Sequence, residues 1–475
     1  MAELRISSAG SPEVIDRRTF IKTAATATGW LLGAPILLKA GATARPGPND
    51  KIQIGQIGAG RIAIEHDLPE TIKHLDLCRV MAVADVDSKR AVAGKRWIES
   101  YYERQLGKTG YVDVKVYGDY RQMLKDPAID AVIISTPDHW HAQPAIEAAL
   151  AGKDIYLQKP ISLTIAEGRQ VSNVVQRTGR IFQIGCQQRS VSPWPQFHRA
   201  CELVRNGRIG QVKHIKIGLP ADPPGTEEPE MPIPANLDYD MWLGSTPYVY
   251  YTEKRVHPQN DYSRPGWLRC EQFGAGMITG WGSHHVDIAH WALDMEYTGP
   301  VEVEAQAEFP KSGIWDVHGK FRVFARYPNG LTMEICDQLP NGIRFEGTEG
   351  WIFVARGSPV TSSDPGSGNP SPRSLDASDP RILDSTIGPN EILLYRSPEQ
   401  HLNWLQCIRT RNQTIGPVEV AHRSCTACLV FHIAMKLQRK LRWDPNKERF
   451  TDDDQANTML SRPQRRPYGT QYLDI

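Results

Sequence analysis

The chain has 475 residues, enough for two domains that each bury a substantial core. Its formal net charge is +1 with acids and bases interspersed, which removes the long-range field that a nucleic-acid binder needs, so no nucleic acid is expected as a partner. Eight cysteines lie scattered without the dense spacing of a disulfide scaffold. Cys425 and Cys428 form a C-x-x-C inside a helical pattern (Cys428, Val430, Phe431, Ala434, Leu437, Leu441), which reads as buried thiols rather than a redox pair or half of a zinc site.

Residues 1–50 read as a targeting segment and linker. Asp16-Arg17-Arg18-Thr19-Phe20-Ile21-Lys22 places two arginines ahead of a weakly apolar stretch from Thr23 to Leu38, and Ala42-Thr43-Ala44 offers a small-x-small cleavage site. The stretch is too short and too polar to span a membrane comfortably. A twin-arginine signal is therefore expected, with the twin-arginine export machinery as a partner and a periplasmic or otherwise exported location. That route carries folded proteins, so a cofactor made in the cytoplasm would have to leave already bound.

At Lys51 the pattern changes to that of a fold. Ile52, Ile54 and Ile57 make an apolar strand that breaks into Gly58-Ala59-Gly60-Arg61-Ile62-Ala63, and Val80–Ala84 ends in Asp85. Further strands are expected at Val114–Tyr117, Ala131–Ser135, Asp154–Leu157 and Ile181–Gly185, with helical segments between them. Strands alternating with helices in this order predict a doubly wound parallel sheet over residues 51–185. Beyond about residue 210, period-two segments at Val212–Ile217, Val301–Phe309, Phe321–Tyr327, Leu331–Cys336 and Trp351–Val354 predict an open, mostly antiparallel sheet in a second domain, 186–475. Pro328-Asn329-Gly330 and Pro340-Asn341-Gly342 are its turn signals. A polar, Ser/Pro/Gly-rich surface loop is expected from Ser358 to Pro380. Late helices at Glu399–Arg409 and Ala421–Arg442 are placed to pack back on the first domain.

Four segments carry chemistry. In Gly58-x-Gly60-x-x-Ala63 the first glycine permits a tight turn, the second lets a pyrophosphate approach the backbone, and Ala63 lets the helix pack close, which leaves N–H groups at Arg61 and Ile62 aimed at phosphates. Asp85, closing the second strand, accepts from a ribose 2′-hydroxyl and repels a 2′-phosphate, so NAD is favoured over NADP. Thr136, Pro137 and His141 follow the fourth strand on the crevice side. Lys159, pinned by Pro160 just past the fifth strand, reaches toward a bound nicotinamide and a substrate hydroxyl; desolvation would lower its pKa toward that of a proton acceptor. Around Gly280, the sequence Gly282-Ser283-His284-His285-Val286-Asp287 places His284 and Asp287 on one helix face, so that the carboxylate could orient the imidazole. A zinc site from His284, Asp287 and His290 is the competing reading, and no metal is expected. Gln187 follows the last parallel strand as a nicotinamide contact, and Arg189, Trp242 and Asp287 are candidate substrate contacts.

Together these segments resemble the glucose-fructose oxidoreductase / inositol dehydrogenase (Gfo/Idh/MocA) family, from Lys51 through the C-terminal helices. The resemblance rests on the glycine loop, Thr136-Pro137 with His141, Lys159-Pro160 and the glycine-rich stretch near residue 280. It implies a catalytic lysine at 159, a catalytic histidine at 284 and a substrate domain built on an open sheet whose exposed face pairs copies into a homo-oligomer. Two departures stand out: Gln158 replaces the usual Glu, and Gly280 replaces the Asp that helps position the lysine, for which His285 or a water would substitute. The resemblance implies an NAD-dependent oxidoreductase that moves hydride at a secondary hydroxyl, by analogy at ring carbon 3, of a sugar or glycoside, with NAD tightly held. An NAD-dependent glycoside hydrolase working by transient oxidation is the first alternative, and a non-catalytic sugar-binding module the second.

Overall fold

The computed structural model describes residues 51–107, 109–357 and 373–475. The export signal read at residues 16–44 lies outside them. Among the described residues, no helix is long and apolar enough to cross a membrane.

Six strands form the first sheet: β1 (Ile52–Ile57), β2 (Cys78–Ala84), β3 (Lys115–Tyr117), β4 (Ala131–Ile134), β5 (Asp154–Leu157) and β6 (Phe182–Ile184). All pair in parallel, in the order β3-β2-β1-β4-β5-β6. Every residue of β4 and β5 is buried, because helices cover both faces of the sheet; hence strands without polar alternation. Asp87 caps the helix Ser88–Leu106 by accepting from the N–H groups of Lys89 and Arg90, and Thr164 caps Ile165–Thr178 through the N–H of Glu167. Strand order reverses between β1 and β4, so the loops after β1, β2, β4 and β5 open onto one crevice at the carboxyl edge of the sheet.

A short parallel pair joins β7 (Ser190–Ser192) to β15 (Ser397–Glu399). The second sheet holds β8 (Val212–Gly218), β9 (Glu302–Ala307), β10 (Phe321–Arg326), β11 (Thr332–Cys336), β12 (Gly342–Gly347), β13 (Trp351–Val354), β14 (Leu375–Ala377), β16 (Leu441–Asp444) and β17 (Arg449–Phe450). Its order is β14-β13-β12-β8-β11-β10-β9-β16-β17, antiparallel except where β8 meets β11. Strict alternation in β10 turns Phe321, Val323 and Ala325 inward and Arg322, Phe324 and Arg326 to the outer face. The inner face meets the helices Gly282–Ala292 and Val418–Leu437.

Three expectations change. Strand β12 starts at Gly342, the last residue of the expected Pro340-Asn341-Gly342 turn, and its short run, in which Ile343 and Phe345 alternate with Arg344, is a strand the sequence pattern does not announce. The last long helix stops at Leu437 rather than Arg442: Gln438 takes φ 48° and the chain returns as β16. Within the expected surface loop, Leu375–Ala377 pairs as edge strand β14, while residues 358–372 lie outside the described part. Helix Gln400–Thr410 packs on the first sheet, where Trp404, fully buried, lies in one core with Ile52, Ile54 and Tyr156.

Candidate active site

The crevice begins at the loop after β1. Gly58 sits at φ 83°, and a Cβ there would stand 2.9 Å from the carbonyl oxygen of Ser135. At Gly60 a Cβ would meet nothing within 4 Å, so this stretch of backbone faces open space. Such a cradle fits a pyrophosphate. Arg61 and Ile62 line the same space, and the chain continues through a wide π-turn, Ala63–Asp67, into the helix Leu68–Ile72. Asp85 accepts from the N–H of Ala59 at 2.7 Å and of Asp87 at 2.8 Å, which fixes its carboxylate at the far end of the loop. Burial pushes its pKa up against these bonds.

A long excursion of the second domain roofs that end. Asp87 accepts from Asn236 Nδ2 at 2.7 Å and lies 3.0 Å from His257 Nε2. Arg90 donates to the carbonyls of Pro258 (2.7 Å) and Asp261 (3.2 Å) and lies over the Tyr262 ring. Ser263, Pro265, Trp267 and Leu268 thereby face Asp85 across the crevice.

At the other end stand Thr136, Pro137, His141 and Lys159. His141 ties the two loops together: its ring nitrogens face the carbonyls of Pro160 at 2.5 Å and Thr136 at 2.8 Å. Burial pushes its pKa down to about 4, so the ring is neutral at physiological pH and donates to one of them. Lys159 Nζ donates to the carbonyl of Gly280 at 3.1 Å. Burial drives the amine's pKa down, opposed by Asp138 and assisted by Arg356, Arg264 and Arg61. Beneath this floor, Gln158 donates to Asp67 Oδ1 at 2.7 Å, and Ser135 Oγ donates to Asp67 Oδ2 at 2.6 Å. His401 Nε2 also lies 3.4 Å from Asp67 Oδ1, so this carboxylate is held beneath the floor by three side chains.

The remaining candidates fall elsewhere. His284 is buried behind the lysine; burial first, then Arg356 and Lys159, hold its pKa well below the usual value. Its Nδ1 lies 3.7 Å from Cys186 Sγ, so Asp287 does not orient it as expected. Instead Asp287 accepts from Arg189 Nε at 2.5 Å and Nη2 at 2.9 Å and from Ser424 Oγ at 2.8 Å, while Arg189 also donates to Glu296 at 2.7 Å. Both residues are almost fully buried. The substrate-contact reading of Arg189 and Asp287 is therefore corrected to a closed internal ion pair. His285 is likewise corrected: it faces Asn341 Oδ1 at 2.9 Å, on the side of the second sheet, and does not stand in for an acid at 280. Gln187 is buried with its amide 3.5 Å from the Tyr156 hydroxyl and does not line the crevice. Trp242 does reach the crevice wall, but its ring is packed between Tyr239 and Phe273. His290 faces the Tyr327 hydroxyl at 2.8 Å, away from any shared site with His284.

Asp138, Asp67, Arg264, Arg356 and the roof apart from Trp242 carry no signal in the sequence pattern. Asp138 lies between Pro137 and His141, and Arg264 and Arg356 lie on segments that only folding brings near Lys159.

Model profiles of known families match this arrangement. The profile described as "Oxidoreductase family, NAD-binding Rossmann fold" matches residues 52–186, and that described as "Oxidoreductase family, C-terminal alpha/beta domain" matches 224–360 and 386–470. The chain belongs to the Gfo/Idh/MocA family. Among its relatives are an uncharacterized oxidoreductase, YrbE, of Bacillus subtilis, 32% identical over 189 residues (40% of this chain, 47% of the relative). A glycosyl hydrolase family 109 protein of Shewanella baltica is 30% identical over 215 residues (42% and 45%). The chain thus spans about half the length of the curated relatives it matches. Among solved structures, the WlbA dehydrogenase of Chromobacterium violaceum, in complex with NADH and UDP-GlcNAcA, superposes with a TM-score of 0.58 over 84% of this chain and 98% of that one, at 16% identity. That likeness concerns the fold: a parallel Rossmann sheet followed by a mostly antiparallel one.

Proposed function

We propose that this Gfo/Idh/MocA protein is an NAD-dependent oxidoreductase acting at a secondary hydroxyl of a sugar or glycoside, with Lys159 as the proton acceptor. The observation that carries the reading is the placement of a desolvated amine in the same crevice as a glycine cradle and the Asp85 carboxylate. Gly58, Gly60, Arg61 and Ile62 would hold the pyrophosphate, and Asp85 the adenosine ribose. A 2′-phosphate would meet the Asp85 carboxylate, which favours NAD over NADP. Bound there, NAD supplies the hydride acceptor.

This chain's residues do the rest. Lys159, with its proton removed, accepts the hydroxyl proton, and the Gly280 carbonyl holds the amine in place. Arg356, Arg264 and Arg61 keep the protonated amine disfavoured in the resting site. The roof from Asn236 to Leu268 supports retention of the nucleotide from turnover to turnover, in keeping with export of the loaded protein through the twin-arginine route proposed from Arg17 and Arg18.

A hydrolytic reading has an observation of its own, the family 109 relative at 30% identity. In it the sugar is oxidised, the neighbouring acidified C–H loses its proton as the aglycone leaves, water adds in its place, and the hydride returns to the sugar within the same turnover. One experiment separates the readings. The purified protein is denatured and the released nucleotide identified by mass spectrometry; the intact protein is then offered free sugars and chromogenic glycosides. Net oxidation raises the absorbance of NADH, whereas hydrolysis releases aglycone with none. Lys159→Met abolishes either signal while retaining nucleotide. Absence of bound or bindable NAD would sink both.

A further inference from the structure

We propose that Asp138 is the positioning carboxylate of Lys159, a counter-charge that governs how readily the amine releases and regains its proton. The inference rests on Lys159 being the proton acceptor. It begins with register. Ile134 of β4 lies opposite Leu157 of β5, so the loops that leave these strands emerge side by side, one carrying Asp138 and the other Lys159. Both residues line the crevice.

The approach to Lys159 from the helix side brings no acid. Position 280 is a glycine whose carbonyl takes the amine's hydrogen bond, and among the described residues no carboxylate oxygen lies within 4.0 Å of Nζ. The charged and titratable groups around the amine come from every neighbouring element: Arg61 of the glycine loop, Arg264 of the roof, Arg356 after β13, His141 at the end of the turn, and His284 of the helix Gly282–Ala292. Asp138 is the anion foremost among them.

Its own setting suits that part. The carboxylate is buried, Arg264 acts on it from the roof, and Cys425 lies within its field. A Cβ on Gly274 would come 3.4 Å from Oδ2, so the glycine stretch closes over it. Burial pushes the Asp138 pKa up while Lys159 opposes that rise, the counterpart of the downward shift at the amine. Two desolvated groups of opposite charge that line one crevice bias each other's protonation without a direct hydrogen bond, so the anion sets how readily the amine gives up and regains its proton in each turnover.

The direction of the effect follows. Removing the anion leaves Lys159 facing guanidinium groups alone, so its titration moves to lower pH. The test is the pH dependence of acylation of Lys159 by acetic anhydride, read by peptide mass spectrometry on the full chain as purified, a readout independent of turnover. In Asp138→Asn the labelling midpoint falls by about one pH unit or more; Asp138→Glu, which keeps the charge, stays near the wild type. Asp138→Ser, smaller and uncharged, behaves like Asn, which covers the case in which the amide variant does not fold. Where sugar oxidation is measurable, its rising limb with pH moves in the same direction. An unmoved midpoint in Asn and Ser variants overturns the proposal, even if their activity is reduced. A shifted midpoint in a protein that oxidises no sugar leaves the pairing intact and removes the catalytic reading instead.

Discussion

Asp287→Ala separates a structural ion pair from a substrate contact. The carboxylate accepts from two nitrogens of Arg189, from Ser424 Oγ and, at 3.1 Å, from Cys186 Sγ, and its side chain is only 2% exposed. Burial opposes its charge, but Arg189 more than offsets that and holds the carboxyl below its usual range. Truncation leaves the Arg189 guanidinium, itself 1% exposed, with Glu296 as its remaining acidic partner. Breaking a buried pair on one side costs about 3–5 kcal/mol. With an unfolding entropy of roughly 2.1 cal/mol/K per residue, a chain of this size loses about 1 °C per kcal/mol, so the expected fall in Tm is about 3–5 °C if it unfolds as one unit. The double variant Arg189→Met/Asp287→Leu, which removes both charges, is expected to be milder than the single one. Urea unfolding gives the stabilities, and nucleotide content per folded molecule gives the integrity of the crevice. A single variant with wild-type stability and a raised KM for sugar would refute the structural assignment.

Four other outcomes follow from the same geometry. Gly58→Ala forces a Cβ to 2.9 Å from Ser135 O at φ 83°; NAD binding measured by calorimetry should weaken by about tenfold or more, and unchanged affinity would discount the cradle. Gln158→Glu sets a carboxylate against Asp67 Oδ1, where Gln158 now donates at 2.7 Å. One acid must then keep its proton, so the variant loses about 3 kcal/mol at neutral pH and regains it as the pH falls toward about 4.3, which denaturation at a series of pH values will show or deny. Burial pushes His139, His285 and His318 down to about 3 and His141 and His290 to about 4. The unfolded chain therefore binds those protons first, and stability present above about pH 6.5 drains away as the pH drops toward 4; a urea midpoint flat from pH 7 to 5 would contradict this. Replacing Asp85 by Ser should narrow the ratio of NAD to NADP affinity, and an unaltered ratio would move the specificity elsewhere.

Local pattern was enough to recover the parallel sheet. Ala131–Ile134 and Asp154–Leu157 are strands because their residues are buried on both faces, and a continuous apolar run records that directly. The sequence could place the glycine loop, Asp85 and Lys159 along one crevice for the same reason: each sits at the end of a strand, and short sequence specifies strand ends. Folding alone decided what the side chains meet. The i, i+3 spacing put His284 and Asp287 on one helix face, yet it carried no information about the opposing surface, where Arg189 claims the carboxylate and Asn341 claims His285. Asp67 reaches Gln158, and the segment from Asn236 to Leu268 reaches Asp87 and Arg90, across separations that no periodicity spans. Charge partners in a desolvated crevice are selected by packing in three dimensions, which leaves no local trace in the sequence.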